Sequence, residues 1–196
     1  MTQEVERCRK AIEWAREGKK VAVISSGDSG IYGMAGVVLQ LADSEKGPQP
    51  RGYDVEVIPG IPAFVSAAAL LGAPLMHDFA SISLSDLLTP WEKIEQRLDA
   101  AASADFVIIL YNPKSTKRVT GLTRAIEIVQ RHRKSGTPAG LVRNATREGQ
   151  DVTVTTLEGL KGLTDSVDML SIIIIGNSST FTAGNGIITP RGYKDI

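Results

Sequence analysis

The amino-acid sequence predicts an α/β protein of two α/β subdomains, each with a mixed, largely parallel sheet flanked by helices. Short apolar runs of strand length alternate with longer segments whose apolar residues recur every three or four positions. Gly and Pro residues separate these segments, as they do where tight turns join strands and helices. Because strands that alternate with helices pair mostly in parallel, we expect both faces of each sheet to be covered.

The first subdomain is expected to comprise residues 1–84. Apolar residues recur with helical spacing over 3–17, and Gly18 ends that helix as a C-cap glycine. The apolar runs at 21–24 and 54–58 have the length of buried strands, and each runs into a glycine-containing turn. The other elements expected in this half are helices over 31–43 and 62–71 and a strand over 79–84.

A polar stretch at 85–90 marks the expected boundary, so that residues 85–196 form the second subdomain. Helical periodicity covers 91–102 and 117–134, and a Gly-Thr-Pro sequence ends the second helix. Strands are predicted at 106–111, 139–143, 152–156 and 170–175. The Gly-Asn-Gly sequence at 184–186 predicts a hairpin turn near the carboxyl terminus.

The composition excludes several classes of function. The 22 Lys and Arg residues balance 22 Asp and Glu residues, so the chain lacks the basic excess of a nucleic-acid binder. No apolar run approaches the roughly 20 residues that cross a bilayer. The single cysteine, Cys8, leaves no disulfide framework, and no His or Cys cluster has metal-ligand spacing. We therefore expect a cytoplasmic protein with no metal and with no nucleic-acid or membrane partner.

Four loops are expected at the carboxyl ends of strands, where open α/β sheets bind their ligands. They are rich in Gly, Ser, Asn and Pro, which let the backbone approach a ligand and present its N–H and C=O groups. The loops cover residues 25–30, 59–63, 111–118 and 144–149. Each alone is compatible with an ordinary tight turn, whereas four together favour a ligand cleft between the two subdomains.

A serine hydrolase is one alternative, because Ser29 follows a predicted strand and a Gly-Asp pair. A serine nucleophile needs a histidine to accept its proton, and the chain has only His77 and His132. His132 lies among basic residues on a predicted helix, and Ile31 stands where the Gly-x-Ser-x-Gly elbow needs its second glycine. These absences disfavour hydrolysis.

A dinucleotide site is a second alternative that the spacing disfavours. Glycines recur at every third position from Gly27 to Gly36, which is not Gly-x-Gly-x-x-Gly. The next predicted strand runs into Pro59 and Gly60 rather than into an acidic residue for a ribose. Small residues at this spacing are more simply explained by close packing of a helix.

The segment 106–125 carries four basic residues and no acidic one, and Arg143 and Arg147 add cations at the end of the next strand. Cations at a helix N-terminus oppose the helix dipole, so a ligand with carboxylates or phosphates is expected there. A solvated basic face explains the same pattern equally well. The basic residues of the segment are Lys114, Lys117, Arg118 and Arg124.

Four stretches together resemble the tetrapyrrole (corrin/porphyrin) methylase family. Residues 26–36 read Ser-Gly-Asp-Ser-Gly-Ile-Tyr-Gly-Met-Ala-Gly, and residues 58–68 read Ile-Pro-Gly-Ile-Pro-Ala-Phe-Val-Ser-Ala-Ala. The stretches 110–118 and 175–179 are similar to the precorrin-3B C17-methyltransferases of cobalamin biosynthesis. The resemblance covers essentially the whole chain.

This resemblance implies a homodimeric enzyme that transfers a methyl group from S-adenosylmethionine to C17 of a precorrin-3-type tetrapyrrole, with ring contraction. It implies no metal cofactor and leaves the catalytic acid and base unassigned. The residues that it places against S-adenosylmethionine are Ser26, Gly27, Asp28, Ile31, Pro62, Ala63, Asn112 and Ala145. Substrate contacts are expected from Tyr111 and from the basic residues Lys114, Lys117, Arg118 and Arg147.

The resemblance also shows a departure at the amino terminus. Family members begin with a strand and a Gly-x-Gly-Pro-Gly loop, and no part of this sequence matches them. We therefore expect an N-terminally truncated version of the tetrapyrrole methylase fold. Two alternatives stay open: a methylase of the same family acting on another ring carbon, or an inactive fragment that binds S-adenosyl ligands.

Overall fold

The computed structural model describes residues 3–44, 52–114 and 120–194. The chain has the predicted α/β architecture and divides into two compact units, Met1–Ala63 and Phe64–Ile196. This division differs from the predicted boundary after residue 84. The reason is strand pairing: β2 (Phe79–Ser83) is hydrogen bonded to β3 (Val107–Tyr111), which places it in the sheet of the second unit.

Among the described residues of the first unit, two helices, α1 (Glu4–Arg16) and α2 (Ala35–Ser44), pack against each other. The apolar face of α1 buries Cys8 and Ile12, as the helical spacing predicts. Gly18 follows α1 with a φ of +82°, in the left-handed region where helices end and where glycine avoids a Cβ clash.

The prediction of strands at 21–24 and 54–58 in the first unit is wrong. Neither segment has strand structure, and Ile24 and Ile58 are 89% and 74% exposed. A strand is stable only when its backbone groups pair with a neighbour and its apolar face is covered. The described residues of this unit supply neither segment with a pairing strand.

The second unit is built on a five-stranded mixed sheet in the order β2-β3-β6-β4-β5. In this sheet only β2 and β3 pair in parallel. Strand β6 lies between β3 and β4 and runs antiparallel to both. The sheet is therefore mainly antiparallel, where the sequence predicted a largely parallel one. Nevertheless β2, β3 and β4 share one direction, so their carboxyl ends lie at the same edge. The remaining strands of this sheet are β4 (Pro138–Arg143), β5 (Asp151–Thr156) and β6 (Ser171–Ile175).

One face of this sheet carries the main hydrophobic core, which includes residues of α4, α5 and a 3-10 helix that the sequence did not predict. The buried apolar faces of α4 and α5 follow the predicted periodicity. At Gly140 in β4 the Leu71 side chain packs so closely that a Cβ would collide with it. The helices of this unit are α3 (Ala63–Leu71, which starts at the unit boundary), α4 (Trp91–Ser103), α5 (Gly121–Gln130) and the 3-10 helix (Gly159–Ser166).

A small second sheet completes this unit. It pairs β1 (Gly72–Ala73) in parallel with β8 (Gly186–Ile188), and β8 in turn with β7 (Phe181–Ala183). The β7–β8 hairpin confirms the turn predicted from Gly-Asn-Gly, and Gly184 adopts a φ of +56° within it. None of the helices in the three described ranges has the length and apolarity that a membrane crossing requires.

Candidate functional site

In the first unit, two loops are joined by the side chain of one residue. We call residues 26–31 the Asp28 loop and residues 59–63 the Pro-Gly loop. One carboxylate oxygen of Asp28, Oδ1, accepts a hydrogen bond from the Gly30 N–H at 2.8 Å. The other oxygen, Oδ2, accepts one from the Gly60 N–H, also at 2.8 Å. A single carboxylate thus shapes its own loop and ties it to a loop 32 positions away.

Glycine is required where these loops touch. A Cβ on Gly60 would collide with the carbonyl oxygen of Gly27. Gly27 itself has a φ of +74°, and its α-carbon faces the Pro-Gly loop, since a Cβ there would lie 3.7 Å from the Ala63 nitrogen. Close backbone contact of this kind explains why both loops are rich in glycine.

The hydrogen bonds to Asp28 also fix its charge. The Gly60 N–H, followed by the Gly30 N–H, lowers the pKa of the Asp28 carboxyl, because backbone donors stabilise the ionised form. The carboxylate therefore remains charged at neutral pH. The negative charge of Asp28 therefore lies beside the backbone of both the Asp28 loop and the Pro-Gly loop.

The structure thus brings together the candidate cofactor residues of the first unit. The Ile31 N–H is 3.4 Å from the Asp28 carbonyl oxygen, and the Ile31 side chain is 41% exposed. Ser26 is exposed at the start of the same loop. Pro62 and Ala63 follow Gly60 and face Gly27.

In the second unit, polar residues cluster at the shared carboxyl edge of β2, β3 and β4. Asn112, directly after β3, donates from Nδ2 to the Ser83 hydroxyl at the end of β2, at 2.9 Å. Asn112 and Asn144, which follow β3 and β4, have φ values of +50° and +49°. Asparagine is one of the few residues that adopt this left-handed conformation readily. The candidate residue Asn112 therefore uses its side chain to hold a neighbouring strand, which leaves its backbone at the edge.

Tyr111 ends β3, and its hydroxyl accepts a hydrogen bond from the Phe64 N–H in the first turn of α3, at 3.2 Å. The two rings meet edge to face, with centroids 6.4 Å apart and planes at 72°. Because the hydroxyl satisfies one of the N–H groups that a helix start leaves without a partner, Tyr111 fixes the beginning of α3.

The loop after β4 is closed by its own hydrogen bonds. Asn144 donates from Nδ2 to the Gly149 carbonyl at 3.2 Å, and its own carbonyl accepts from the Arg147 N–H at 2.9 Å. Ala145 is half-buried in this loop, and the Arg147 side chain is exposed. The candidate residues Ala145 and Arg147 thus lie at the same edge as Asn112.

The basic residues predicted to bind a substrate differ in their surroundings. The Lys114 side chain is 18% exposed, and its Nζ donates to the Thr164 carbonyl at 2.8 Å and lies 3.4 Å from Asp165 Oδ1. That position near the last turn of the 3-10 helix suits a cation, because carbonyl groups point outward there. Lys114 is therefore engaged within the protein. Lys117 and Arg118 lie outside the described residues.

The role of Ser83 escaped the sequence analysis, whereas Arg143 is one of the cations predicted at the end of its strand. The Ser83 hydroxyl accepts the hydrogen bond from the Asn112 amide. The position of Ser83 at the end of the predicted strand 79–84 was the sequence feature that could have indicated this role. At the end of β4, the Arg143 Nε is buried and has no hydrogen-bond partner in the part of the chain that the structure describes. An unsatisfied buried N–H of a cation is costly, which makes Arg143 a candidate for binding an anion.

The stretch 175–179, which contributed to the family resemblance, lies at the opposite edge of the sheet. Asn177 is buried there, and its Oδ1 accepts hydrogen bonds from the N–H and hydroxyl of Ser179 and from the Thr180 hydroxyl. The Ser178 hydroxyl donates to Asp105 Oδ2 at 2.6 Å. These contacts give the motif a structural role.

Comparison with known proteins identifies the family. The model of the tetrapyrrole (corrin/porphyrin) methylases matches residues 2–161. The chain is 50% identical over 194 residues to the cobalt-factor III methyltransferase of Priestia megaterium, which covers 99% of this chain and 36% of that protein. It is 51% identical over 193 residues to a probable cobalt-factor III C(17)-methyltransferase of Salmonella typhimurium, covering 98% of this chain and 78% of that protein.

A solved structure has the same fold. The crystal structure of the methyltransferase CobJ aligns with a TM-score of 0.88 and 37% identity over 95% of this chain and 77% of that one. The chain thus spans about a third of the Priestia relative and more than three quarters of the Salmonella relative and of the CobJ structure. By the extent of these matches, the chain belongs to the tetrapyrrole (corrin/porphyrin) methylase family.

Proposed function

We propose that this chain catalyses S-adenosylmethionine-dependent methylation of C17 of a precorrin-3-type or cobalt-factor III-type tetrapyrrole, with ring contraction, in cobalamin biosynthesis. The single observation that carries the proposal is about 50% identity, over nearly the whole chain, to relatives named for cobalt-factor III methylation. The loops at which the candidate residues gather are compatible with this chemistry.

The residues of the first unit fit a methyl donor. The contact of Gly27 with Gly60 leaves no room for a side chain, so a ligand approaching these loops meets backbone groups and the Asp28 charge. S-adenosylmethionine supplies an electrophilic methyl group that an electron-rich ring carbon can attack without a metal. We assign donor contacts to Ser26, Gly27, Asp28, Ile31, Pro62 and Ala63, and in the second unit to Asn112 and Ala145.

The main contribution of these residues is positioning. Fixing the donor and acceptor in a reactive arrangement is worth about 7–11 kcal/mol as effective molarity in well-oriented reactions. Loops held by side-chain hydrogen bonds, such as those of Asp28 and Asn112, lose less freedom when a ligand binds. A stiff backbone site is therefore what this reaction requires.

The substrate is a flat apolar ring bordered by carboxylates, which calls for cations at the rim of its site. We assign this role to Arg147, whose side chain is exposed, and to Arg143, whose Nε is buried without a partner in the described part of the chain. Tyr111, Lys117 and Arg118 stay candidates for substrate contact. Lys114 is a weaker candidate, because its ammonium already binds Thr164 and Asp165.

The decisive experiment incubates the purified chain with S-adenosylmethionine and a precorrin-3-type or cobalt-factor III substrate. Mass spectrometry should show the gain of one methyl group, and carbon NMR should place it at C17. Methylation of another carbon would support the first alternative, a family member of different regiochemistry. Absence of methylation with micromolar binding of S-adenosylhomocysteine in calorimetry would support the second alternative, an inactive fragment.

We further propose that the protein works as a homodimer in the cytoplasm, as the family resemblance implies. Sedimentation of the purified chain should then give a mass of twice 21.0 kDa. Fractionation of cells expressing it should recover it in the soluble fraction. A monomeric mass or a membrane-bound pool would contradict the corresponding part of the proposal.

A further inference from the structure

We propose that Asp28 is a positioning residue: its carboxylate locks the Asp28 loop to the Pro-Gly loop, and the locked backbone, rather than the carboxylate itself, holds the methyl donor. The statement about the donor rests on the proposed function. The lock itself can be tested without any ligand.

The geometry of the hydrogen bonds supports this role. Each carboxylate oxygen of Asp28 accepts one backbone N–H at 2.8 Å, from Gly30 and from Gly60. These two hydrogen bonds fix the orientation of the carboxylate, because each oxygen points at the backbone of one of the two loops. An acceptor shared between two loops sets the distance between them.

The surroundings of the two loops are consistent with such a lock. The segments that lead into the two loops, 21–24 and 54–58, have no strand structure that would align the loops. The loops also approach so closely that a Cβ on Gly60 would collide with the Gly27 carbonyl oxygen, and the positive φ of Gly27 favours glycine there as well. The Asp28 carboxylate links the two loops, and a charged acceptor makes a stronger hydrogen bond than a neutral one.

An electrostatic role is the main competing explanation. The negative charge of Asp28 would attract the positive sulfonium of S-adenosylmethionine, whereas S-adenosylhomocysteine has a neutral sulfur. An attraction of this kind predicts that loss of the charge weakens binding of the sulfonium compound far more. A positional lock predicts equal weakening for both ligands.

The test compares Asp28→Ala and Asp28→Asn with the wild type and with Asp54→Asn. Asp54 is exposed in the same unit and loses the same charge, so it is the matched control. Alanine removes both acceptors, and asparagine keeps only one acceptor oxygen. We expect affinities for both ligands, measured by calorimetry, to fall by about 10- to 100-fold in Asp28→Ala and less in Asp28→Asn. In Asp54→Asn they should stay close to the wild-type value.

Amide NMR of the full chain tests the lock directly. The Gly30 and Gly60 amide signals of the wild type should move together in an acid titration, and this joint movement should disappear in both Asp28 variants and persist in Asp54→Asn.

A Gly60 signal that Asp28→Ala leaves in place would overturn the lock. Unchanged affinities, or a loss confined to S-adenosylmethionine, would overturn the positioning role. If the wild type titrates as expected but binds neither ligand, the lock stands and the proposed function fails.

Discussion

At the residue scale, polar side chains in loops and at strand ends bind distant segments of the chain. The Asp28 carboxylate binds Gly60, the Tyr111 hydroxyl binds Phe64, and the Asn112 amide binds Ser83. Two of these three groups bind backbone N–H donors. Such contacts let a site retain its shape while the backbone in between faces a ligand.

Removing the Tyr111 hydroxyl should cost stability without disturbing the ring packing. In Tyr111→Phe the Phe64 N–H loses its acceptor, while the edge-to-face contact of the rings remains. We expect the free energy of unfolding in urea to fall by about 0.5–1.5 kcal/mol. Tyr193, which is 66% exposed, gives the control Tyr193→Phe, for which no change is expected. Equal stability of the two variants would argue against the role assigned to Tyr111.

Asp105 should make stability depend on pH. Burial acts to raise the pKa of its carboxyl, but hydrogen bonds from Ser178 and the charge of Arg133 outweigh this, and the net pKa is lowered. A group whose pKa is lower in the folded state stabilises the fold above its unfolded pKa of about 3.9, and this contribution is lost as pH falls through the folded pKa. Stability should therefore decrease on acidification below about pH 4.

The variant Asp105→Asn isolates this contribution. Asparagine tolerates the φ of +61° found at this position, so the backbone need not change. We expect the variant to be less stable than the wild type near neutral pH and to approach it in acid. Urea unfolding of both proteins over the acidic range measures this, and a constant difference between them would contradict the assignment.

At the scale of elements, the sheet of the second unit depends on close packing against α3. Leu71 at the end of α3 occupies the space where Gly140 of β4 would carry a Cβ. The buried runs of β3 and β6 around it are aliphatic, with Ile109 and Ile174 fully buried. A glycine in the interior of a strand is therefore required here by its neighbour.

Gly140→Ala should consequently be destabilising. We expect a loss of about 1–3 kcal/mol in the free energy of unfolding, because the new methyl group must displace Leu71 or the strand. Gly136, which has no atom near its would-be Cβ, gives the control Gly136→Ala. Thermal unfolding of both variants measures the difference, and a Gly140→Ala protein as stable as wild type would show that Leu71 can move at little cost.

At the scale of the whole molecule, charge is balanced overall but uneven locally. The chain has 22 basic and 22 acidic residues, yet the segment 106–125 has no acidic residue. Two of these basic residues make contacts within the protein. Lys114 binds the 3-10 helix, and Arg124 stacks on Trp91 and forms an ion pair with Glu95. For the proposed substrate, we therefore expect recognition by the remaining cations.

Charge reversal at Arg147 should separate substrate binding from donor binding. In Arg147→Glu we expect weaker tetrapyrrole binding by about tenfold, because a carboxylate would meet a like charge, with unchanged affinity for S-adenosylhomocysteine. Arg97→Glu on the exposed face of α4 is the matched control and should change neither affinity. Fluorescence titration and calorimetry measure the two affinities, and equal loss of both ligands in Arg147→Glu would contradict the assignment.

The sequence by itself determined the α/β class, the α-helices of both units and the loops at which candidate residues gather. Periodic apolar spacing predicts α1, α4 and α5 because it reflects which face each helix buries, and that information is local. Family-specific stretches around Gly27, Gly60 and Asn112 were likewise readable as short motifs.

Only the tertiary structure decided which of the predicted strands form, how they pair and what each polar group contacts. The runs at 21–24 and 54–58 have strand composition but no pairing strand among the described residues, and β6 reverses the pairing of the main sheet. The link from Asp28 to Gly60 spans 32 positions, and that from Tyr111 to Phe64 spans 47. Pairing and side-chain contacts are non-local, because they depend on which distant segments the folded chain brings within hydrogen-bonding distance.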